Sequence, residues 1–143
     1  MLRTCSRIIA LTAMVVGSST TAQPVETLTL ACRGTVTSGV EDAKPDPISM
    51  GIIVNFTNRT VQGFGQPGLM DYPVKITGWN DVTVAFGGSE EELAKSSRDS
   101  IFGSIDRVTG DVEATQLATD IKTGKTIAST NYALKCRPAQ RMF

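Results

Sequence analysis

The chain has 143 residues, with 14 Lys+Arg balanced by 14 Asp+Glu and no histidine. The missing histidine excludes Ser/His/Asp and Cys/His triads and histidine-containing zinc sites. The charge balance supplies no concentrated positive field of the kind that nucleic acid or an anionic membrane surface requires as main partner.

The chain opens like an export signal: Arg3 and Arg7 precede the apolar run Ile8 to Val16, and a small polar stretch, Gly17 to Thr21, follows. The run is far short of the roughly 20 residues that cross a bilayer. Cleavage after Ala22 is expected, making residues 1–22 a cleavable signal peptide and 23–143 a single β-rich domain, long enough to bury one core. The leader takes Arg3, Arg7 and Cys5 with it, so the remaining domain carries a charge of about −2. Leu28-Thr29-Leu30-Ala31-Cys32 has the look of a lipid-attachment site, but Cys32 lies too far beyond the apolar run, with Glu26 between them. Two cysteines remain, Cys32 and Cys136, and in an oxidising compartment an even number is expected to pair. A periplasmic or secreted location follows.

Alternation of apolar and polar residues marks half-buried strands through the rest of the chain. Leu28, Leu30, Cys32 and Val36 share one face of the first segment, opposite Thr29, Arg33 and Thr35. Met50 to Phe56 follows with Ile52, Val54 and Phe56 in phase, then Thr60 to Phe64, Val74 to Trp79, and Val82, Val84 and Phe86. Ser89-Glu90-Glu91-Glu92 carries helix-capping chemistry, and a solvated turn or short helix is expected through Lys95. Ile101, Gly103 and Ile105, and then Val112 with Ala114, resume the strand pattern. In the last segment Ala128, Thr130, Tyr132, Leu134 and Cys136 share a face, so both cysteines point inward. Thr109-Gly110 and Thr123-Gly124 are placed for tight turns with a left-handed glycine.

The expected fold is all-β: a single antiparallel domain of about eight strands, either a small barrel or a two-sheet sandwich, with the first and last strands linked by the disulfide. The pattern does not choose between barrel and sandwich. A membrane-spanning barrel ending in Phe143 does not fit, because reading back by twos meets Arg141, Ala139, Arg137 and Lys135.

No GxGxxG, Walker or GxSxG motif occurs, and no metal or cofactor is expected. Carboxylates cluster at Asp99, Asp106, Asp111 and Glu113. Asp106 and Asp111 flank a turn, where a carboxylate pair could bind calcium or serve acid/base chemistry on a sugar, or simply solvate the turn; the calcium-loop pattern and its ligand count are both absent. Asn55-Phe56-Thr57 and Asn58-Arg59-Thr60 match the glycosylation sequon, which carries meaning only in a eukaryotic secretory route. The best candidate for a partner-binding surface is the glycine- and proline-rich stretch Gly63 to Pro73, with Phe64, Leu69, Met70 and Tyr72, and Trp79 nearby in sequence. The competing reading has these side chains folding back to plug the end of the barrel or sandwich.

Three stretches, SMGIIVNF (Ser49 to Phe56), FGSIDRVTGDVEA (Phe102 to Ala114) and YALKCRPAQRMF (Tyr132 to Phe143), resemble functionally uncharacterised small exported proteins of alphaproteobacteria, especially rhizobial ones. The resemblance implies a bacterial periplasmic or secreted protein and carries no catalytic residues across. In plan the chain is also similar to small disulfide-stapled periplasmic β-domains such as lysozyme inhibitors or lipocalin-like carriers, an analogy of fold only. The expected function is non-catalytic binding of a protein partner or a small apolar ligand. A carboxylate-dependent hydrolase using Asp106 and Asp111, or a structural envelope-stress protein, are the alternatives.

Overall fold

A computed structural model describes residues 26–39, 43–64, 73–92 and 96–139. Eight strands follow one another: β1 (Thr27–Ser38), β2 (Asp46–Asn55), β3 (Thr60–Gln62), β4 (Lys75–Trp79), β5 (Thr83–Glu92), β6 (Ser97–Asp106), β7 (Asp111–Asp120) and β8 (Thr126–Pro138). Each pairs antiparallel with the next, and β8 returns to β1, closing a barrel. Closure decides between the two architectures that alternation alone left open, and it leaves the first and last strands as neighbours.

The wall is uneven. From β5 round through β6, β7, β8 and β1 to β2, each neighbouring pair is matched over nine or ten positions. β3, by contrast, has three residues and meets β4 at one matched pair, Thr60 opposite Lys75. β4 carries a register shift between Ile76 and Gly78 before it reaches Trp79.

Inward residues fill the barrel. Leu30, Cys32, Ile52, Val54, Ile76, Val84, Phe86, Ile101, Ile105, Val112, Leu134 and Cys136 are buried as their alternation predicts. An eight-stranded barrel is just wide enough for its own side chains to fill. Here Phe86 lies where β6 offers Gly103, whose missing side chain leaves the space: a Cβ there would come within 2.6 Å of the Phe86 ring. Burying Phe86 contributes on the order of 1.5–3 kcal/mol, and truncating it to alanine is expected to cost about 3–5 kcal/mol.

Cys32 stands directly opposite Cys136 in the β1–β8 register, and the two are joined by a disulfide across a sequence separation of 104. A loop of that length corresponds to about 4 to 5 kcal/mol in the chain-entropy account of disulfide stabilisation. The bond is compatible with an oxidising, extracytoplasmic setting. Among the described residues no helix is long and apolar enough to cross a membrane. The expected signal peptide, residues 1–22, lies outside the described residues.

One expected element is corrected. Ser89 to Glu92 is not a turn or helix but the end of β5, with Ser89 opposite Ser100 and Glu92 opposite Ser97. The capping pattern of Ser89 to Glu92 competes with a ready strand partner, and the rest of the expected segment, Leu93 to Lys95, lies outside the described residues. Tertiary pairing overrides a weak local propensity.

Candidate functional site

Among the described residues three hairpin turns share one plan: an Asn or Asp at the first position accepts hydrogen bonds from amides two or three residues on, and the fifth residue takes positive φ. In Asp106-Arg107-Val108-Thr109-Gly110 the Asp106 Oδ1 accepts from the amides of Val108 and Thr109, both at 2.8 Å, and Gly110 has φ 77°. In Asp120-Ile121-Lys122-Thr123-Gly124 the Asp120 Oδ1 accepts from the Thr123 amide at 2.6 Å, and Gly124 has φ 69°. Asn55-Phe56-Thr57-Asn58-Arg59 repeats the plan, with the Asn58 amide donating to Asn55 Oδ1 at 2.8 Å, but its fifth residue is Arg59 at φ 53°. A side chain in this conformation costs roughly 1–2 kcal/mol, which glycine avoids.

The strained position aims Arg59 at an aromatic pair. Its guanidinium carbon lies 5.2 Å from the centroid of Trp79, and Trp79 meets Phe56 edge to face at 6.4 Å. On the other side the Arg107 guanidinium lies 5.8 Å from the Phe56 centroid. The four side chains therefore alternate as cation, ring, ring, cation. Arg107 is fixed in place by donating from Nη1 to the Asn80 carbonyl at 2.8 Å and from its own amide to the Val82 carbonyl at 2.7 Å. Asn80 in turn braces its own turn, its Oδ1 accepting from the Val82 and Thr83 amides at 2.8 and 2.7 Å.

Three of the large exposed apolar side chains lie on this rim or its turns: Trp79 at 47% exposure, Val82 at 50% and Val108 at 74%. Cation–π contacts of this kind contribute about 0.5–1 kcal/mol at exposed sites. The arrangement offers an aromatic pair, Trp79 about half exposed, flanked by two guanidinium forks, a composition enriched at recognition hot spots.

The residues singled out from sequence divide accordingly. Phe64 is at 3% exposure, stacked on Phe86 at 5.0 Å and edge-on to Tyr132 at 5.6 Å, so it plugs the barrel instead of standing on a loop surface. Leu69, Met70 and Tyr72 lie outside the described residues. Trp79 is exposed, but at the far end of β4 from where the chain enters that strand, so closeness in sequence joined Phe64 and Trp79 without a common surface. Phe56, Arg59 and Arg107 were not anticipated. The available signal was the turn comparison, in which an arginine stands where two sister turns have glycine.

The carboxylates are occupied locally. Asp106 is held below the usual carboxylate range by the backbone bonds from Thr109 and then Val108. Asp111 is also lowered, first by its bond from Lys135 Nζ at 2.8 Å and then by that from Thr109 Oγ1 at 2.6 Å. A general acid at neutral pH needs the opposite shift. Asp99 sits at the other end of β6 from Asp106, roughly 23 Å along the strand at 3.3 Å per residue. Among the described residues no group of three or more Cys, Asp or Glu could hold a metal ion. Of the two sequons, Asn55 serves the β2–β3 turn with its side-chain oxygen, and Asn58 supplies the amide it accepts from.

Comparison with protein-family models, curated proteins and solved structures finds no match to this chain.

Proposed function

We propose that this protein is a non-catalytic binding module, exported to the bacterial periplasm or beyond, that engages a protein partner through the rim built on Phe56, Arg59, Trp79 and Arg107. The observation that carries the reading is Arg59: a residue kept in a left-handed backbone conformation at a turn position where glycine is the relaxed choice, with its guanidinium over an exposed tryptophan. A rigid ring presented with a fixed cation loses little entropy on binding, which favours recognition over mere surface packing. A protein partner is favoured over a small apolar ligand inside the barrel, because Phe64, Phe86 and Tyr132 occupy the interior. The leader, the disulfide and the three resemblance stretches support the bacterial exported setting.

The test is site-specific photo-crosslinking in cells, with the photoreactive residue at Val82 or Val108 and, as control, at Ile127, an exposed apolar position at the start of β8. A discrete adduct from Val82 and Val108, absent from Ile127 and lost on Trp79→Ala, is the expected result. The same adducts from all three positions, or adducts indifferent to Trp79, would overturn the proposal.

A further inference from the structure

The overall charge balance conceals a local imbalance on the outer wall of β2, β1 and β8. In the register of these strands Arg33 stands directly opposite Lys135 on one side and Ser49 on the other, while Arg137 stands opposite Ala31. Like charges directly opposed across a strand pair are destabilising. Along their own strands neither arginine has an acidic neighbour on this face: Arg33 is flanked by Ala31 and Thr35, and Arg137 by Lys135 and Ala139. Lys135 is drawn the other way, bonded to Asp111 of β7 at 2.8 Å. Glu113, the next acid along β7, stands opposite Ala133. Neither Arg33 nor Arg137 forms an ion pair with a carboxylate of the described residues.

Between the two arginines the wall is recessed. Ala31 and Gly51, opposite each other in the β1–β2 register, carry almost no side chain, and the hollow over them measures about 820 Å³. Thr29 and Ser49 bring hydroxyls to its edge, with Arg33, Lys135 and Arg137 around it. Two guanidinium forks with no ion pair to a carboxylate among the described residues, neutral hydroxyl-bearing side chains and an apolar floor thus line one hollow.

We propose that this hollow binds the phosphate of a phosphomonoester, with Arg33 and Arg137 as the charge-bearing contacts and the body of the ligand lying on Ala31 and Gly51. The charge count favours phosphate over carboxylate. A planar carboxylate is satisfied by one bidentate arginine, whereas two guanidinium groups, neither ion-paired to a described carboxylate, match a group that carries about −1.5 to −2 and has three acceptor oxygens. This face is separate from the Trp79 rim and does not depend on the reading given to it.

Titration of the oxidised domain with phenyl phosphate, followed by amide chemical shifts at constant ionic strength, tests the proposal. Saturable shifts centred on Ala31, Gly51 and Arg137 are expected, with benzoate at least tenfold weaker. Arg33→Gln combined with Arg137→Gln should weaken phenyl phosphate about tenfold or more, and this variant relieves a like-charge contact, so it should fold. Asp111→Asn should strengthen binding by releasing Lys135 toward the hollow. Absence of saturation, equal affinity for benzoate, or unchanged affinity in the double variant would overturn the site. A second arm distinguishes the source: flotation with phosphatidic acid vesicles that depends on the same arginines assigns a lipid headgroup, and phenyl phosphate binding without flotation assigns a soluble phosphomonoester.

Discussion

The β2–β3 and β6–β7 turns share one rim with the β4–β5 turn between them in strand order, Arg107 of the second comes within 5.8 Å of the Phe56 ring of the first, and the two follow the same hydrogen-bonding plan. They part company at the fifth residue. At Gly110 the backbone leaves no room: a Cβ would sit 2.3 Å from the Cys136 carbonyl oxygen, and the Cys136 amide donates to the Gly110 carbonyl at 2.7 Å. At Arg59 the same kind of conformation carries a full side chain. One turn packs its fifth residue against the wall, and the other sets an arginine over Trp79. Equivalent local geometry can therefore serve packing or display, and the side chain at the strained position tells which.

That contrast can be broken in four ways. The largest effect is expected at Gly110→Ala, where a steric collision adds to a positive φ; a loss of about 2–4 kcal/mol by urea unfolding is expected, and a loss below 1 kcal/mol would mean the turn relaxes freely. Gly124→Ala has the same φ problem, but its Cβ would meet nothing within 4 Å, so about 1 kcal/mol is expected by the same measurement. Arg59→Gly should leave stability within about 1 kcal/mol of wild type, because relief of the left-handed side chain is offset by greater unfolded-state freedom and a lost cation–π contact. The same variant should alter the emission of Trp79, the lone tryptophan of the chain, and abolish the Val82 adduct.

The smallest effect separates aspartate turns from asparagine turns. Asp106 and Asp120 have lowered pKa values because backbone amides bond their carboxylates, led by Thr109 and Thr123 respectively. A depressed folded pKa contributes stability above the unfolded value, near 3.9, and that contribution disappears as pH falls through the folded value. The amide signals of Thr109 and Thr123 should therefore titrate with midpoints below about 3.9. Those of Asn58 and Thr83, bonded to the side-chain oxygens of Asn55 and Asn80, should show no such local step.

Strand alternation made the core legible because it is a local property: Leu30 and Cys32, or Tyr132, Leu134 and Cys136, announce their face by spacing two. Barrel closure was not local. It depends on β8 pairing with β1, and the two cysteines allowed either a closed wall or two facing sheets. Ser89 to Glu92 was misread for a related reason, since its strand partner Ser97 to Ser100 competes with a capping pattern visible in four consecutive residues. The rim was hidden further still: Arg59 meets Trp79 twenty positions on, and Arg107 meets a Phe56 that lies fifty-one positions back. Contacts of that range follow from register, and register is a property of the assembled sheet.

The disulfide has a consequence for how the chain reaches this state. Every strand pairing except β1 with β8 joins sequence neighbours, so the sheet can grow hairpin by hairpin, and closure brings together segments about a hundred residues apart. Distant pairings are the slow ones. A slip of one residue in that last pairing would turn one sulfur to the outside. The Cys32–Cys136 bond joins directly opposite positions of that seam, so once formed it holds the two ends of the fold in this one register.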